Sequence, residues 1–262
     1  MSNRREFFQV AALGAAGVTL SSRAEAASPG YVISPAAIPS LPVIGTTDRF
    51  PVRRIYCIGM NYQAHVDEDQ SKVAQGREAF KAPPFYFLKS PDMIVQNNSK
   101  IDYPLLTKDF HYELEMVVAL KSGGKNIAKA QALDCVYGYA VGLDMTRRDL
   151  QGEALNNKMP WEPGKSFDQS APCSAITPVS KIGHMNKGHI QLKVNDKVEQ
   201  VGDVSSLILD VPAIIAFLSK SYELRAGDII YTGTLAGSGP VVSGDRMVGT
   251  IDKLEPLTIT VA

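Results

Sequence analysis

The chain has 262 residues, 45% hydrophobic and 21% charged, with 27 basic and 27 acidic side chains and a formal net charge of zero. That length suits one large domain with a full core, and the absence of any Lys/Arg block excludes a nucleic-acid or anionic-membrane partner. Three widely spaced cysteines, Cys57, Cys135 and Cys173, exclude a disulfide framework and read as buried free thiols.

Residues 1–26 have the order of an export signal. Arg4 and Arg5 precede Phe7 and Phe8, an Ala/Gly-rich apolar stretch runs from Val10 to Leu20, and Ala24 and Ala26 bracket a cleavage-like spacing. The stretch is too short to span a bilayer. The twin arginine points to the twin-arginine route, hence to a periplasmic protein with no stable membrane association after cleavage. Residues 27–50 are Pro/Ser/Ala-rich and aperiodic, reading as an arm or linker, and the body is expected over 51–262.

Along that body, residues 54–59 read as a buried strand broken at Gly59. A polar helical or looped segment follows, with His65 and Glu68 three apart and so on one face of a turn. Short strands are predicted at 85–89 and 93–96, then a strand over 111–118. A helix over 127–135 leads into the apolar run 136–143, which ends in Asp144. A second helix over 147–158 stops at Pro160. Strands at 189–194 and 197–200 flank Asn195-Asp196, a good hairpin turn. Asp210 caps a helix with Pro212 in its first turn, and strands at 228–232, 247–251 and 257–261 close the chain. Many short strands with few helices give a β-rich α+β domain. The chain has no strand–GxGxxG–helix and no P-loop, so nucleotide binding has no support.

The most informative residues are three acids. On a strand, Glu113 and Glu115 face the same way, roughly 7 Å apart at Cα, with Leu114, Met116 and Val118 on the other face. An E-x-E is also what a solvated strand face looks like. Here its apolar flanks and the acid ending the second apolar run set like charges where hydration is poor. A hard divalent cation with Glu113, Glu115 and Asp144 as oxygen ligands would compensate them. Arg147 and Arg148 are expected to divide. One goes inside, with Asp149 or the site acids; the other goes outside or onto a substrate carboxylate, Arg148 being the candidate contact. His111 is expected to pack beside the acids, and His184 and His189 read as loop residues.

Five blocks resemble the fumarylacetoacetate hydrolase family over nearly all of 51–262. They are Gly59-Met60-Asn61-Tyr62-Gln63-Ala64-His65-Val66-Asp67-Glu68, His111-Tyr112-Glu113-Leu114-Glu115, the segment from Gly142 through Asp144 to Gln151, Gly164-Lys165-Ser166-Phe167, and the segment from Gly233-Thr234 to Pro240. The segment 144–151 and Pro160-Trp161 look most like its fumarylpyruvate hydrolase (acylpyruvase) branch. The resemblance implies a mixed β-roll, a single catalytic domain, commonly dimeric, holding Mg2+ or Mn2+ on Glu113, Glu115 and Asp144. It implies a water-activating pair, His65 and Glu68, with Lys165 catalytic and Gln151 and Thr234 on the substrate. The implied reaction is C–C cleavage of an acylpyruvate to pyruvate and a carboxylic acid. Oxaloacetate decarboxylation, 2-oxo-enoate isomerisation or hydration, and non-enzymatic binding of a 2-oxo acid are the alternatives. Departures from the branch are Met60 where an Arg is usual, Leu235 where a Pro is usual, and Tyr112 where a His is common.

Overall fold

The computed structural model describes residues 30–72 and 85–262. The folded body, Ile38–Ala262, is built on two sheets. An eight-stranded mixed sheet has Leu114–Leu120 at its centre, flanked by Asp228–Thr234 and Val136–Leu143. Next to Asp228–Thr234 come Arg54–Ile58 and Tyr86–Lys89; beyond Val136–Leu143 come Ala171–Cys173 and Ile94–Gln96, with the short strand Thr177–Pro178 also paired to Val136–Leu143. A five-stranded sheet runs Lys197–Asp203, His189–Val194, Arg246–Ile251, Leu257–Val261, Ser99–Ile101. This is a mixed α+β fold in which the sheet curls into a partly open β-roll.

All seven residues of Leu114–Leu120 are buried, because each face of the strand has a partner. Leu114, Met116 and Val118 pack with Ile190, Leu192, Met247 and Ile259 of the second sheet and with Ile214, Ile215 and Leu218 of the helix Val211–Ser221. Val117 and Ala119 face the other way, into a smaller core with Ile55, Cys57, Ile229 and Tyr231. Each such side chain removed from water is worth about 1.5–3 kcal/mol, so a charged residue on either face needs compensation.

The turn residues behave as their chemistry requires. Asn195 and Asp196 both take left-handed backbone angles (φ 49° and 67°) between the paired strands, as a two-residue hairpin needs. Asp210 caps the helix Val211–Ser221 by accepting a hydrogen bond from the Ala213 N–H at 2.9 Å. The helix expected over 127–135 is a 3-10 turn over Lys129–Cys135. The stretch read as an arm contributes a hairpin: Ser40–Pro42 pairs with Arg49–Pro51, and Leu41 and Val43 are buried in the smaller core. Residues 1–26, read as a signal, lie outside the described residues. Among those described, no helix is long and apolar enough to cross a membrane.

Candidate metal centre and active site

Strand register brings the three acids together. Leu114 pairs with Leu143 and Glu115 with Gly142, so Glu113 lies beside Asp144, whose N–H donates to the Glu113 carbonyl at 2.9 Å. The single strand expected over 111–118 is interrupted at Glu113. Phe110–Tyr112 belongs to a small three-stranded sheet and Leu114–Leu120 to the central one. The chain changes sheets at that residue, yet Glu113 and Glu115 still converge. On the other flank Thr234 pairs with Glu115, and an irregularity between Tyr231 and Thr234 turns the Gly233 N–H onto Glu115 Oε2 at 2.6 Å. Gly233 has φ +103°, a conformation that suits glycine.

Glu113, Glu115 and Asp144 are all buried, with candidate ligand oxygens within 4.8 Å of one another. Three cations surround them. Lys165 Nζ reaches Glu113 Oε2 at 2.7 Å, Asp144 Oδ2 at 3.0 Å and the Thr146 hydroxyl at 2.7 Å. Arg148 bonds Glu113 Oε1 and donates to Gln151 Oε1 at 2.6 Å. Lys89 Nζ stands 2.8 Å from Asp144 Oδ1, outside hydrogen-bonding geometry, so that oxygen has an ion-pair neighbour but no directed donor. Lys89 instead donates to the carbonyls of Met145 and Lys165.

Burial pushes the Glu113 carboxyl up, but Lys165 and Arg148 outweigh it and hold it well below the ordinary range. Glu115 goes the other way: burial first, then the charges of Asp144 and Glu113, raise it well above that range. Burial disfavours the Lys165 ammonium, yet Asp144 and Glu113 hold its pKa above the usual lysine value. A set of hard carboxylate oxygens, one acid held ionised, one starved of positive charge and one oxygen without a donor, fits Mg2+ or Mn2+.

The acids line a cleft of about 310 Å³. Of the residues expected to act, His65, Lys165, Arg148, Gln151 and Thr234 also line it. His65 is buried on the helix Gln63–Lys72, its Nδ1 3.7 Å from Glu68 Oε2. Glu68 Oε2 also accepts the Gly237 N–H at 2.9 Å. Asn61 anchors the segment before this helix: its amide donates to the Thr232 and Leu209 carbonyls at 2.8 and 3.1 Å and accepts the Leu209 N–H at 2.7 Å. Lys165 is set by close packing of the short helix Glu162–Lys165 on Arg148–Asn156. A Cβ on Gly164 would meet Gln151 N at 2.7 Å. The Thr234 hydroxyl donates to the Leu114 carbonyl at 2.9 Å and accepts from Gln200 at 3.0 Å. Arg148 is the inward member of its pair, while the Arg147 guanidinium lies 4.2 Å over the Phe167 ring. His111 sits between Asp109, at 2.6 Å, and Arg148, at 3.5 Å. Burial and the Arg148 charge lower its pKa.

Sequence reasoning gave no role to Lys89, Gln200 or Asn61, nor to the wall of Phe85, Phe87 and Trp161. A lysine ending the apolar strand Tyr86–Lys89 was the one local signal.

The family model for fumarylacetoacetate (FAA) hydrolase, C-terminal, matches residues 54–262. The chain belongs to the fumarylacetoacetate hydrolase family. It is 42% identical over 177 residues to fumarylpyruvate hydrolase of Ralstonia sp, covering 68% of this chain and 92% of that protein. It is 39% identical over 209 residues to the mitochondrial oxaloacetate tautomerase FAHD1 of Homo sapiens, covering 80% and 91%. The crystal structure of fumarylpyruvate hydrolase from Pseudomonas aeruginosa with Mn2+ and pyruvate superposes with a TM-score of 0.84 at 42% identity, covering 89% of this chain and 99% of that one. The β-roll implied by the resemblance is therefore present, and this member of the family carries a Glu/Glu/Asp cluster suited to the same kind of ion. The periplasmic, twin-arginine expectation is corrected: the human, bovine and Dictyostelium relatives are mitochondrial proteins. An Arg-Arg pair before a short apolar run is a compositional signal that a charged N-terminus of another kind can also carry.

Proposed function

We propose that this chain is a metal-dependent hydrolase that cleaves the C–C bond of an acylpyruvate to pyruvate and a carboxylic acid, the same type of reaction as in the fumarylpyruvate hydrolases it resembles. The observation that carries this is the buried Glu113/Glu115/Asp144 cluster sharing one cleft with His65. A divalent cation held by those three carboxylates would supply Lewis-acid stabilisation of negative charge on the pyruvoyl oxygens. His65 takes a proton from water at its imidazole, and Glu68 stabilises the cation so formed. The hydroxide equivalent adds to the distal carbonyl carbon and the bond to the methylene breaks. Its electron pair passes into the pyruvoyl fragment as an enolate, whose methylene carbon takes the proton held by the His65 imidazolium, giving pyruvate and restoring the neutral imidazole. Lys165 holds a positive charge beside the developing enolate. Gln151, Thr234 and Arg148 line the cleft and orient the substrate. The catalytic domain is 51–262, acting as a homodimer.

The test is pyruvate release from acylpyruvates with Mg2+ or Mn2+, lost in Asp144→Asn; a fully active Asp144→Asn removes the metal from the mechanism. Sedimentation at equilibrium checks the dimer. A second reading, oxaloacetate tautomerisation or decarboxylation, is favoured by the likeness to the human tautomerase. Decarboxylation needs no activated water, so His65→Ala would spare it while crippling hydrolysis; tautomerisation, which moves a proton from C3 to the carbonyl oxygen, is read by oxaloacetate enol absorbance without pyruvate release.

A further inference from the structure

Apart from the acids, their cations and the polar side chains of His65, Gln151, Asn156 and Thr234, the cleft wall is apolar. Ile58, Met60, Phe85, Phe87, Leu155 and Trp161 make up this part of the lining. Phe85 and Trp161 meet edge to face at 5.1 Å between centroids, and Phe87 lies 6.1 Å from the same indole. Gly59 fixes this wall: its N–H donates to the Phe85 carbonyl at 3.2 Å, and a Cβ there would stand 2.0 Å from the Phe85 ring. Among the described lining residues, the lysine and arginine are Lys165 and Arg148, and both are engaged by the acids.

Charge decides what the far end of the cleft accepts. The three acids are matched by Lys89, Lys165 and Arg148. A bound divalent cation therefore adds two positive charges, which the carboxylate and enolate of a pyruvoyl group use up. A further carboxylate at the other end of the substrate would lose its hydration against aromatic rings, because Lys165 and Arg148, the lysine and arginine among the described lining residues, are already held by the acids.

We infer that the acyl group is uncharged and apolar, an alkyl or aryl chain lying along Met60, Phe85, Phe87 and Trp161. This inference rests on the 2-oxo-acid chemistry proposed above and narrows its substrate class. Two measurements on the Mn2+-loaded full chain test it. The first is calorimetric binding of unreactive 2-oxo acids of equal length ending in phenyl, alkyl or carboxylate; the second is pyruvate release from the matching acylpyruvates. The expected result is binding about tenfold or more tighter for the uncharged ends, a gap that closes in Met60→Arg and weakens for the phenyl compound in Trp161→Ala. Equal or tighter binding of the carboxylate-ended compound by the unaltered chain overturns the inference. Tight binding of the uncharged compounds without pyruvate release upholds it and removes the hydrolase proposal instead.

Discussion

Lys89 Nζ lies 2.8 Å from Asp144 Oδ1, and both side chains are almost fully buried. The pair joins the edge strand Tyr86–Lys89 to the acid that ends Val136–Leu143, so one end of the roll is tied to the metal centre. Removing one partner of a buried pair leaves an uncompensated charge. Lys89→Met should therefore cost the metal-free protein about 3–5 kcal/mol. A bound cation replaces the missing positive charge, so Mn2+ should raise Tm more in Lys89→Met than in the parent. Equal Mn2+-induced shifts would show that Lys89 does not act through Asp144.

Metal affinity should depend on pH with a definite sign. Burial, with the charges of Asp144 and Glu113, raises the Glu115 pKa, and a protonated carboxyl is a poor ligand. Cation binding must then expel that proton, so affinity rises with pH from the ordinary carboxylate range up to the raised value. Calorimetry in buffers of different ionisation enthalpy should show release of about one proton. In Glu115→Gln the release should disappear and the affinity fall. A pH-independent affinity in the parent would rule out a protonated Glu115.

The proposed roles of His65 and Glu68 should separate kinetically. His65→Ala should lower kcat by about 10²–10⁴-fold, the usual contribution of a general base, and leave metal affinity unchanged. Glu68→Gln should lose less, because it retains a carbonyl oxygen to accept the Gly237 N–H. Undiminished pyruvate release by His65→Ala would remove His65 as the base.

Gly233 and Gly152 give opposite expectations for the same change. At Gly233 a Cβ would stand 2.7 Å from Asn61 Cβ, on a backbone with φ +103°. Gly233→Ala should cost about 1–3 kcal/mol and weaken metal binding by moving the N–H that holds Glu115. Gly152 lies in the helix Arg148–Asn156, and a Cβ there meets nothing within 4 Å. Gly152→Ala should stabilise by about 0.5–1 kcal/mol. Thermal melts of both variants check the pair.

Local pattern made the acids legible. Period-two alternation put Glu113 and Glu115 on one side of Leu114, and an apolar run ending in Asp144 marked a second buried strand. The family blocks added His65, Glu68 and Lys165, and the Asn195-Asp196 turn showed where two strands meet. Pattern failed where a side chain works across the fold. Lys89 is compensated by Asp144 and Gln200 by the backbone of Leu114 and Leu235. Each looks like an ordinary polar residue until the strands are paired. The break at Glu113 was hidden because the alternating pattern runs unbroken through it while its neighbours join different sheets. The hairpin within 40–51 was hidden because Pro42, Pro51 and the Gly45-Thr46-Thr47 turn leave no strand period to read, although Leu41 and Phe50 carry its burial.

The Lys165 ammonium bridges Glu113 and Asp144. Small zinc domains remain unfolded until their ion arrives, because nothing else neutralises their ligands. Here the polypeptide carries its own stand-in for the ion, so the socket is complete when the chain folds. Folding should then not wait for the metal, and the metal-free chain should already be folded.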